Sequence, residues 1–158
     1  MTTVEVFIGT SLRGPARGTG RTMYLMRTKK RNGEDHESIP EVAEYENTTE
    51  SRLVLYAVRE AIGRLNFACE VVIHTECDYV AAAVNQKWPE SWQENGWKSS
   101  KGKEVKDAEL WGSILQILEE SGHELKAEPG KHEWSQWMAW KMPLATVLRE
   151  IFTKIPKE

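Results

Sequence analysis

The sequence has few of the features that would set it apart from ordinary globular proteins. It contains only two cysteines, Cys69 and Cys77, in 158 residues, which excludes a disulfide framework and predicts a reduced, cytoplasmic chain. It has no apolar run near the roughly 20 residues that a membrane-spanning helix needs, and its first residues lack the layout of a signal peptide. We therefore expect no membrane partner, and a single domain over residues 1–158 with one buried core.

The sequence also has no large excess of positive or of negative charge. The net charge of −3 at pH 7 argues against a protein that holds nucleic acid by bulk charge alone. The charges are divided unevenly, however. Residues 6–33 contain seven Lys and Arg and no acid, whereas residues 34–50 contain seven Asp and Glu and neither Lys nor Arg. This division favours neighbouring strands that pair through opposite charges, and the alternative is a basic surface that faces phosphates.

Hydrophobic periodicity predicts the order β-β-β-α-β-α-α-β-α, and hence one mixed sheet with helices on its faces. Asn32 and Gly33 predict a hairpin, and Pro40 predicts an edge strand or a bulge. Asp107 is expected to cap a helix, and residues 87–106 read as irregular. The predicted strands cover residues 4–8, 22–26, 36–45, 70–75 and 123–128, and the predicted helices cover residues 51–65, 78–84, 107–120 and 144–155.

Two stretches in the second half of the chain form a specific pattern. Residues 92–98 read WQENGWK, and residues 102–111 read GKEVKDAELW. Together with NTTESRLVL at residues 47–55, IHTECDYV at residues 73–80 and GKH at residues 130–132, they resemble type 1 ribonuclease H in order and spacing. The resemblance covers nearly all of the chain. It implies an α/β, ribonuclease H-like fold with a mixed five-stranded sheet flanked by helices.

The resemblance also implies a chemistry for which this sequence lacks most of the ligands. The family hydrolyses the RNA strand of an RNA·DNA hybrid with two Mg²⁺ or Mn²⁺ ions held by four carboxylates. The matching positions here are Gly9, Val54, Glu76 and Met142, and no acid lies among residues 135–149 to replace the fourth. We therefore expect a degenerate site with no catalytic residue and no cofactor. Mg²⁺ or Mn²⁺ would bind weakly at Glu76 at best, and only residual activity would need either ion.

Nucleic-acid binding is the family property that could persist without metals. The predicted contacts lie at the start of the first helix, in the stretch around Trp92, Trp97 and Lys98 that matches the family's basic handle, and in the turn at residues 130–132. They are Thr49, Ser51, Arg52, Trp92, Trp97, Lys98, Lys131 and His132. Gln93 and Glu94 stand where the family often has two lysines, which predicts a modest, salt-dependent affinity. The alternative for the handle tryptophans is packing into a small core.

Two further groups of residues leave alternatives open. His74 and Glu76 share a face of their strand and could form a small metal or acid–base site with His132, and the alternative is simple packing. Three tryptophans follow one another at intervals of three: Trp134, Trp137 and Trp140. In a helix they would form a stripe that belongs to the core, covers the altered site, or presents an exposed patch to a protein partner.

The sequence is compatible with three functions. The leading expectation is a catalytically inactive ribonuclease H-like domain, a pseudoenzyme, that binds an RNA·DNA hybrid or a duplex. The first alternative is a protein-interaction or scaffold domain that uses the Trp-rich C-terminal surface. The second alternative is an active, metal-dependent ribonuclease for RNA·DNA hybrids with an unconventional site. A basic stripe would favour the first function, an aromatic patch the second, and bound metal at Glu76 the third.

Overall fold

A computed structural model describes residues 1–29, 33, 35–38 and 40–143 of the chain. Asn32 of the predicted hairpin and the predicted helix at residues 144–155 lie outside the described residues. Residues 135–143 are helical, and we call them the C-terminal segment. The other elements are β1 (Thr2–Thr10), β2 (Gly18–Lys29), β3 (Asp35–Glu37), β4 (Val42–Thr48), α1 (Glu50–Gly63), β5 (Cys69–Thr75), α2 (Asp78–Asn85), α3 (Trp88–Glu94), α4 (Ala108–Ser121) and β6 (Glu124–Pro129).

The strands form one mixed sheet, which confirms the predicted α/β class. Its order is β3-β2-β1-β5-β6, and β4 also pairs with β2. β1 runs antiparallel to β2 and parallel to β5, while β5 runs parallel to β6. Parallel neighbours need crossover connections, and the helices supply them: α1 lies on the path to β5, and α2, α3 and α4 lie on the path to β6.

Among the described residues, the sheet has six strands rather than the expected five, because the predicted third strand is broken. Both pieces lie along β2: Glu37 of β3 is paired with Arg27, and Val42 of β4 is paired with Met23. Pro40 lies between the two pieces. Because proline has no backbone N–H to donate to a ladder, the expected irregular edge strand takes the form of two shorter strands.

Helix α1 covers one face of the sheet because its apolar residues recur at helical spacing. Its first turn is capped by Thr49, whose hydroxyl accepts a hydrogen bond from the backbone N–H of Arg52 at 3.3 Å. Leu55, Val58 and Ile62 are buried in the main core, which lies between this face of the sheet and the helices. This packing fixes the start of α1 close to the end of β1.

In the segment between α2 and α4, one local prediction is wrong and another holds only in part. Residues 87–106, expected to be irregular, contain the short helix α3, which follows Lys87 in the left-handed conformation (φ 58°) and has Pro89 in its first turn. Proline is favoured there because its fixed φ suits a helix and its missing N–H needs no partner. Asp107 occupies the N-cap position of α4, as predicted, but its side chain makes no capping hydrogen bond. Its carboxylate bonds instead to Arg52 at the start of α1.

The C-terminal segment covers the opposite face of the sheet and forms a second, smaller core there. This cluster consists of Phe7, Met23, Leu25, Met138 and Met142. Trp134 and Trp137 pack against it, with their ring centroids 5.8 Å apart, whereas Trp140 is 62% exposed. Two of the three tryptophans in the predicted stripe therefore contribute to a core.

The described residues bear on two expectations from the sequence, which concern membrane-spanning helices and cysteine pairing. No helix among them combines the length and the apolar character needed to cross a bilayer. Cys69 and Cys77 are both free thiols in buried positions. Burial raises the pKa of each thiol, which works against nucleophilic chemistry.

Candidate functional site

Gly9 lies near the end of β1 and is covered by the C-terminal segment. A Cβ atom added at Gly9 would lie 2.9 Å from both Cβ and Sδ of Met138, closer than real Cβ contacts come. Met138 is 0% exposed, so it has no open space into which it could retreat. Because protein interiors are close-packed, a side chain at Gly9, aspartate included, requires the C-terminal segment to move.

Val54 and Met142 are buried apolar side chains. Val54, near the start of α1, is 1% exposed and belongs to the main core. Met142 is 3% exposed and packs in the same cluster as Met138. Neither position offers an oxygen to a hard cation, and both contribute to hydrophobic packing instead.

Glu76 follows β5 and is the single carboxylate among the four matching positions. Its Oε2 accepts a hydrogen bond from Nη2 of Arg13 at 3.0 Å. The Nη1 of Arg13 donates to the carbonyl and the hydroxyl of Thr10 at 2.8 and 2.7 Å and lies 3.9 Å from Glu50. The remaining carboxylate is therefore already paired with a cation that the chain itself supplies and holds in place.

The residues at these positions do not fit the family's pair of divalent cations. Mg²⁺ requires near-octahedral coordination by oxygen ligands, and two ions need several carboxylates that converge. Glu76 brings two oxygens, one of them bonded to Arg13, and the other three positions bring none. Across the ranges that the structure describes, no three His, Cys, Asp or Glu side chains are grouped so that they could hold a metal ion.

His132 lies beside these positions with both ring nitrogens bonded to the backbone. Its Nε2 donates to the carbonyl oxygen of Ile8 at 2.8 Å, and its Nδ1 accepts from the backbone N–H of Trp134 at 3.2 Å. These bonds describe a neutral ring in one tautomer. Burial lowers the pKa of His132, although the bond to Ile8 opposes that shift. The ring fastens the turn at residues 130–134 to β1 and keeps no nitrogen free for proton transfer.

His74 belongs to a separate cluster of stacked and charged side chains. Its ring stacks on Phe7 at 4.5 Å between centroids, and its Nε2 lies 3.2 Å from Oε1 of Glu5. Arg27 bonds to Glu5 at 2.8 Å and to Glu133 at 2.7 Å. Burial raises the pKa of Glu5, but hydrogen bonds and charge from Arg27 outweigh burial and lower it. The cluster ties the turn to the sheet, and His74 is engaged there rather than in an acid–base site with the remaining carboxylate.

The predicted contacts at the start of α1 are engaged within the chain. Thr49 is 1% exposed and Ser51 is 5% exposed. Ser51 Oγ donates to Asp107 Oδ2 at 3.0 Å. Arg52 Nη1 lies 2.9 Å from Asp107 and 2.6 Å from Glu109. These bonds join α1 to α4, so a role for these three residues in binding nucleic acid stays a prediction.

The handle region combines packed tryptophans with an exposed lysine. Trp92 and Trp97 are half-buried and pack against the main core. The ring of Trp92 lies 6.1 Å from that of Trp111, and Trp97 lies beside Gly112, 3.5 Å from where a Cβ would stand. Lys98 is exposed. The packing alternative therefore describes both tryptophans, and Lys98 is the predicted contact here that faces solvent.

An open cavity of about 660 Å³ adjoins Glu76. Arg13 and the exposed Lys131 both line this cavity. The complete lining is Arg13, Glu76, Lys131, His132, Glu133, Ser135, Gln136 and Ala139. The cavity thus places two predicted contacts, Lys131 and His132, beside the position that the family would use for catalysis.

The basic and acidic stretches of the first third meet in part across the sheet. Arg21 of β2 lies 3.4 Å from Glu44 of β4, as the interpretation of paired strands predicts. Arg17 donates to the backbone oxygen of Asn47 at 2.9 Å. Arg27, in contrast, turns to acids outside the acidic stretch. These contacts engage Arg17, Arg21 and Arg27 within the chain and give no support, among the described residues, to the alternative of a basic surface for phosphates.

Comparison with known proteins agrees with the fold and the order of the motifs. The family model for RNase H matches residues 2–129. The chain belongs to the RNase H family. The Ribonuclease H of Caldicellulosiruptor saccharolyticus is 40% identical over 86 residues, which make up 54% of this chain and 58% of that relative. The chain therefore spans little more than half the length of this curated relative.

Solved structures share the RNase H fold with this chain. LC9-RNase H1, a type 1 RNase H with the type 2 active-site motif, matches with a TM-score of 0.67 at 21% identity over 87% of this chain and 70% of that one. A foamy viral protease-reverse transcriptase in complex with an RNA/DNA hybrid matches with a TM-score of 0.59 at 18% identity, over 88% of this chain and 19% of that one. At these identities the likeness shows the fold alone.

The RNase H match bears differently on the four positions. Gly9, Val54 and Glu76 fall within residues 2–129, whereas Met142 lies beyond them. The alignment of the first three positions with the family therefore falls in the matched stretch, whereas Met142 is aligned only by counting residues from His132.

Sequence reasoning missed the two side chains that shape this RNase H site most. Met138 stands out in the sequence only as a neighbour of the tryptophan stripe, although it lies four residues before Met142, which is the spacing of one helical face. Arg13 stands out only as part of a basic stretch. Its pairing with Glu76 spans 63 residues, and no local pattern in the sequence indicates it.

Proposed function

We propose that this RNase H-family domain binds an RNA·DNA hybrid or a nucleic-acid duplex without cleaving it. The observation that carries the absence of cleavage is the contact of Met138 with Gly9, because it fills the space in which a carboxylate would stand. Hydrolysis by the family's route needs carboxylates that converge on two metal ions. Here the space between β1 and the C-terminal segment is hydrophobic.

Two further observations support an inactive site. The guanidinium of Arg13 neutralises Glu76 at 3.0 Å, which weakens the attraction of this carboxylate for a cation. His132 has its ring nitrogens bonded to the backbone on both sides, so proton transfer would require it to leave β1. The mechanism that remains is binding, in which exposed cations contact phosphates and hold the duplex on the surface.

The support for binding is the placement of exposed cations. Lys98 in the handle and Lys131 at the cavity are both exposed, and Arg13 has a side chain that is 53% exposed. Phosphate contacts by Lys and Arg supply affinity that does not depend on sequence and that falls steeply with salt. The foamy viral protein of similar fold has been seen with an RNA/DNA hybrid, which makes the hybrid the first ligand to test.

The test is fluorescence anisotropy of an end-labelled RNA·DNA hybrid, followed over time in Mn²⁺ at low salt and repeated in EDTA. We expect a stable rise in anisotropy that is the same with and without the metal. In the Lys98→Ala, Lys131→Ala double variant, the slope of log K against log salt should shrink by about 1 for each phosphate that the protein no longer neutralises. Lys126→Ala is the matched control, because Lys126 lies on β6 and pairs with Glu70 at 3.6 Å.

Two outcomes would contradict the proposal in different ways. A rise that decays in Mn²⁺ but not in EDTA, as fragments are released, would show an active ribonuclease with an unconventional site. No rise at high micromolar protein would remove nucleic-acid binding. The alternative would then be a protein-interaction domain, and the exposed Trp140 on the C-terminal segment would be the first residue to substitute.

A further inference from the structure

A second cavity lies far along the sheet from Glu76, between α4 and the edge strand β6. Its volume is about 620 Å³. Trp111, Ile114 and Leu118 of α4 form an apolar wall, and Leu125 of β6 forms part of the opposite wall. β6 stands last in the sheet order, with β5 as its neighbour on the inner side. The cavity therefore opens beside the outer edge of the sheet.

Asn85 shows what the edge of β6 can bind. Its side-chain amide donates to the carbonyl oxygen of Ala127 at 2.9 Å and accepts from the N–H of Ala127 at 2.9 Å. These are the two hydrogen bonds that a residue of a neighbouring strand would make. Asn85 thus acts as a one-residue substitute for a strand, and Ala127 is a position where the backbone of β6 faces outward.

Leu125 faces outward in the same way but has no such substitute. Backbone groups two residues apart on a strand point in the same direction, so the N–H and C=O of Leu125 point away from β5, as those of Ala127 do. Within the described residues, no side chain bonds to the backbone of Leu125 as Asn85 bonds to Ala127. The unpaired stretch of the edge therefore lies directly beside the cavity.

Two buried polar atoms in the lining also lack partners among the described residues. His123 is 5% exposed, and its Nδ1 accepts from the backbone N–H of Cys69 at 3.1 Å. Its Nε2 therefore carries the proton, and it has no acceptor. Oε2 of Glu90 is buried without a donor. Both atoms are closed to solvent, so a ligand in the open cavity would reach them only after these side chains rotate. A peptide unit, which offers both an acceptor and a donor, would then satisfy them.

The charges around the cavity select the kind of peptide. Two lysines, Lys87 and Lys126, line the cavity. Lys126 is paired with Glu70 at 3.6 Å. Three acids line the same cavity: Glu90, Glu119 and Glu124. The excess of acid favours a ligand with basic groups on either side of its apolar part.

We propose that this cavity and the adjoining edge of β6 form a docking site for an extended peptide segment of a partner protein. The peptide adds a strand beside Leu125, in the manner of β-augmentation. One apolar side chain of the peptide enters the cavity against Ile114 and Leu118, and flanking basic side chains meet the three acids. The site uses neither the handle lysine nor the cavity beside Glu76, although Gln93 of the handle is part of its lining.

The test uses blocked heptapeptides of the form acetyl-TKVXVKT-amide, with leucine, phenylalanine or tryptophan at X, and nuclear magnetic resonance of the ¹⁵N-labelled full chain. Both lysines lie two residues from X and therefore project from the same face of the added strand. We expect saturable shifts at the amides of Leu125 and Ile114, and at least tenfold slower hydrogen exchange at Leu125. Leu115→Lys adds a cation to the lining and should weaken binding at least tenfold. Gln116→Lys on the same helix is exposed and outside this lining, so it should leave binding unchanged.

Two N-methylated peptides separate strand pairing from simple filling of the cavity. Methylation at every even position and methylation at every odd position block opposite edges of the added strand, so one analogue should bind and the other should not. Equal binding of both analogues would show that the cavity takes an apolar side chain without strand pairing, and would overturn the proposal. It would also be overturned if no shift appeared at 2 mM peptide, or if self-association of the chain alone protected Leu125.

Discussion

Replacing Gly9 with aspartate restores the carboxylate that the family resemblance places at the end of β1, yet we expect it to damage the fold. The new Cβ would lie 2.9 Å from Cβ and Sδ of Met138. The carboxylate beyond it would enter a cluster in which Met138 and Met142 are 0% and 3% exposed. The perturbation therefore combines a steric overlap with the burial of a charge.

The expected size of the effect follows from these two parts. Forcing extra atoms into a well-packed core costs about 1–3 kcal/mol. A carboxylate without a partner adds about 1–3 kcal/mol even when it escapes ionisation by taking up a proton. The sum, about 2–6 kcal/mol, is a large fraction of the roughly 5–15 kcal/mol by which domains are stable. Gly9→Ala adds only the Cβ atom and should lose about 1–3 kcal/mol.

Urea denaturation followed by tryptophan fluorescence measures this loss. Gly63→Ala is the matched control, since its Cβ would meet Ile117 at an ordinary 4.0 Å and should change the free energy of unfolding by no more than about 1 kcal/mol. Met138→Ala alone should destabilise the fold, but combined with Gly9→Asp it should cost less than the sum of the two single changes. A Gly9→Asp protein as stable as the wild type would refute the reasoning.

The remaining predictions concern a buried ion pair and a histidine. Arg52→Ala leaves Asp107, whose side chain is 1% exposed, without its cation. Urea denaturation should show that this variant is destabilised by about 3–5 kcal/mol. Glu109→Ala removes the exposed partner of the same arginine and should cost under about 1 kcal/mol. The pKa of His132 is lowered in the fold, so below pH 6.5 the unfolded chain takes up more protons than the folded chain. Stability should be full above pH 6.5 and should fall as the pH drops through the lowered pKa. His132→Gln should flatten this dependence in denaturation curves from pH 7.5 to 5, and an equally steep dependence in the variant would assign it to other groups.

The fold could be predicted from the sequence because its signals are local. The strand VEVFI, the capped start of α1 at Thr49 and the WQENGWK stretch each fix one element by residues close together in the chain. The errors arose where a local signal was too short or was overridden. α3 was missed because it has only seven residues, so Trp88 and Trp92 form a single pair at helical spacing and no longer periodicity marks the helix. Asp107 was expected to cap α4, but its carboxylate instead bonds to Ser51 and Arg52, more than 50 residues away.

The candidate site divides in the same way. From the resemblance, the lack of a carboxylate at three of the four family positions, Gly9, Val54 and Met142, can be predicted. What occupies the space cannot, because the contact of Gly9 with Met138 and the pairing of Glu76 with Arg13 each join distant parts of the chain. The sequence predicts which ligands are missing, whereas only the packing shows what occupies the same space.

The packing at these positions is cooperative, and this is why introducing a single carboxylate should not create a metal site. Gly9 must lack a side chain for as long as Met138 lies on β1, and Met138 is held there by the turn that His132 and Glu133 fasten to the sheet. Four carboxylates that converge without metals repel one another, whereas the methionine cluster gains hydrophobic stabilisation as it closes. A carboxylate at one position would therefore meet packing that the other residues maintain, and a cation would still lack most of its ligands. Restoring the ligands requires displacement of the C-terminal segment first, since the same space cannot hold both a methionine core and a hydrated ion.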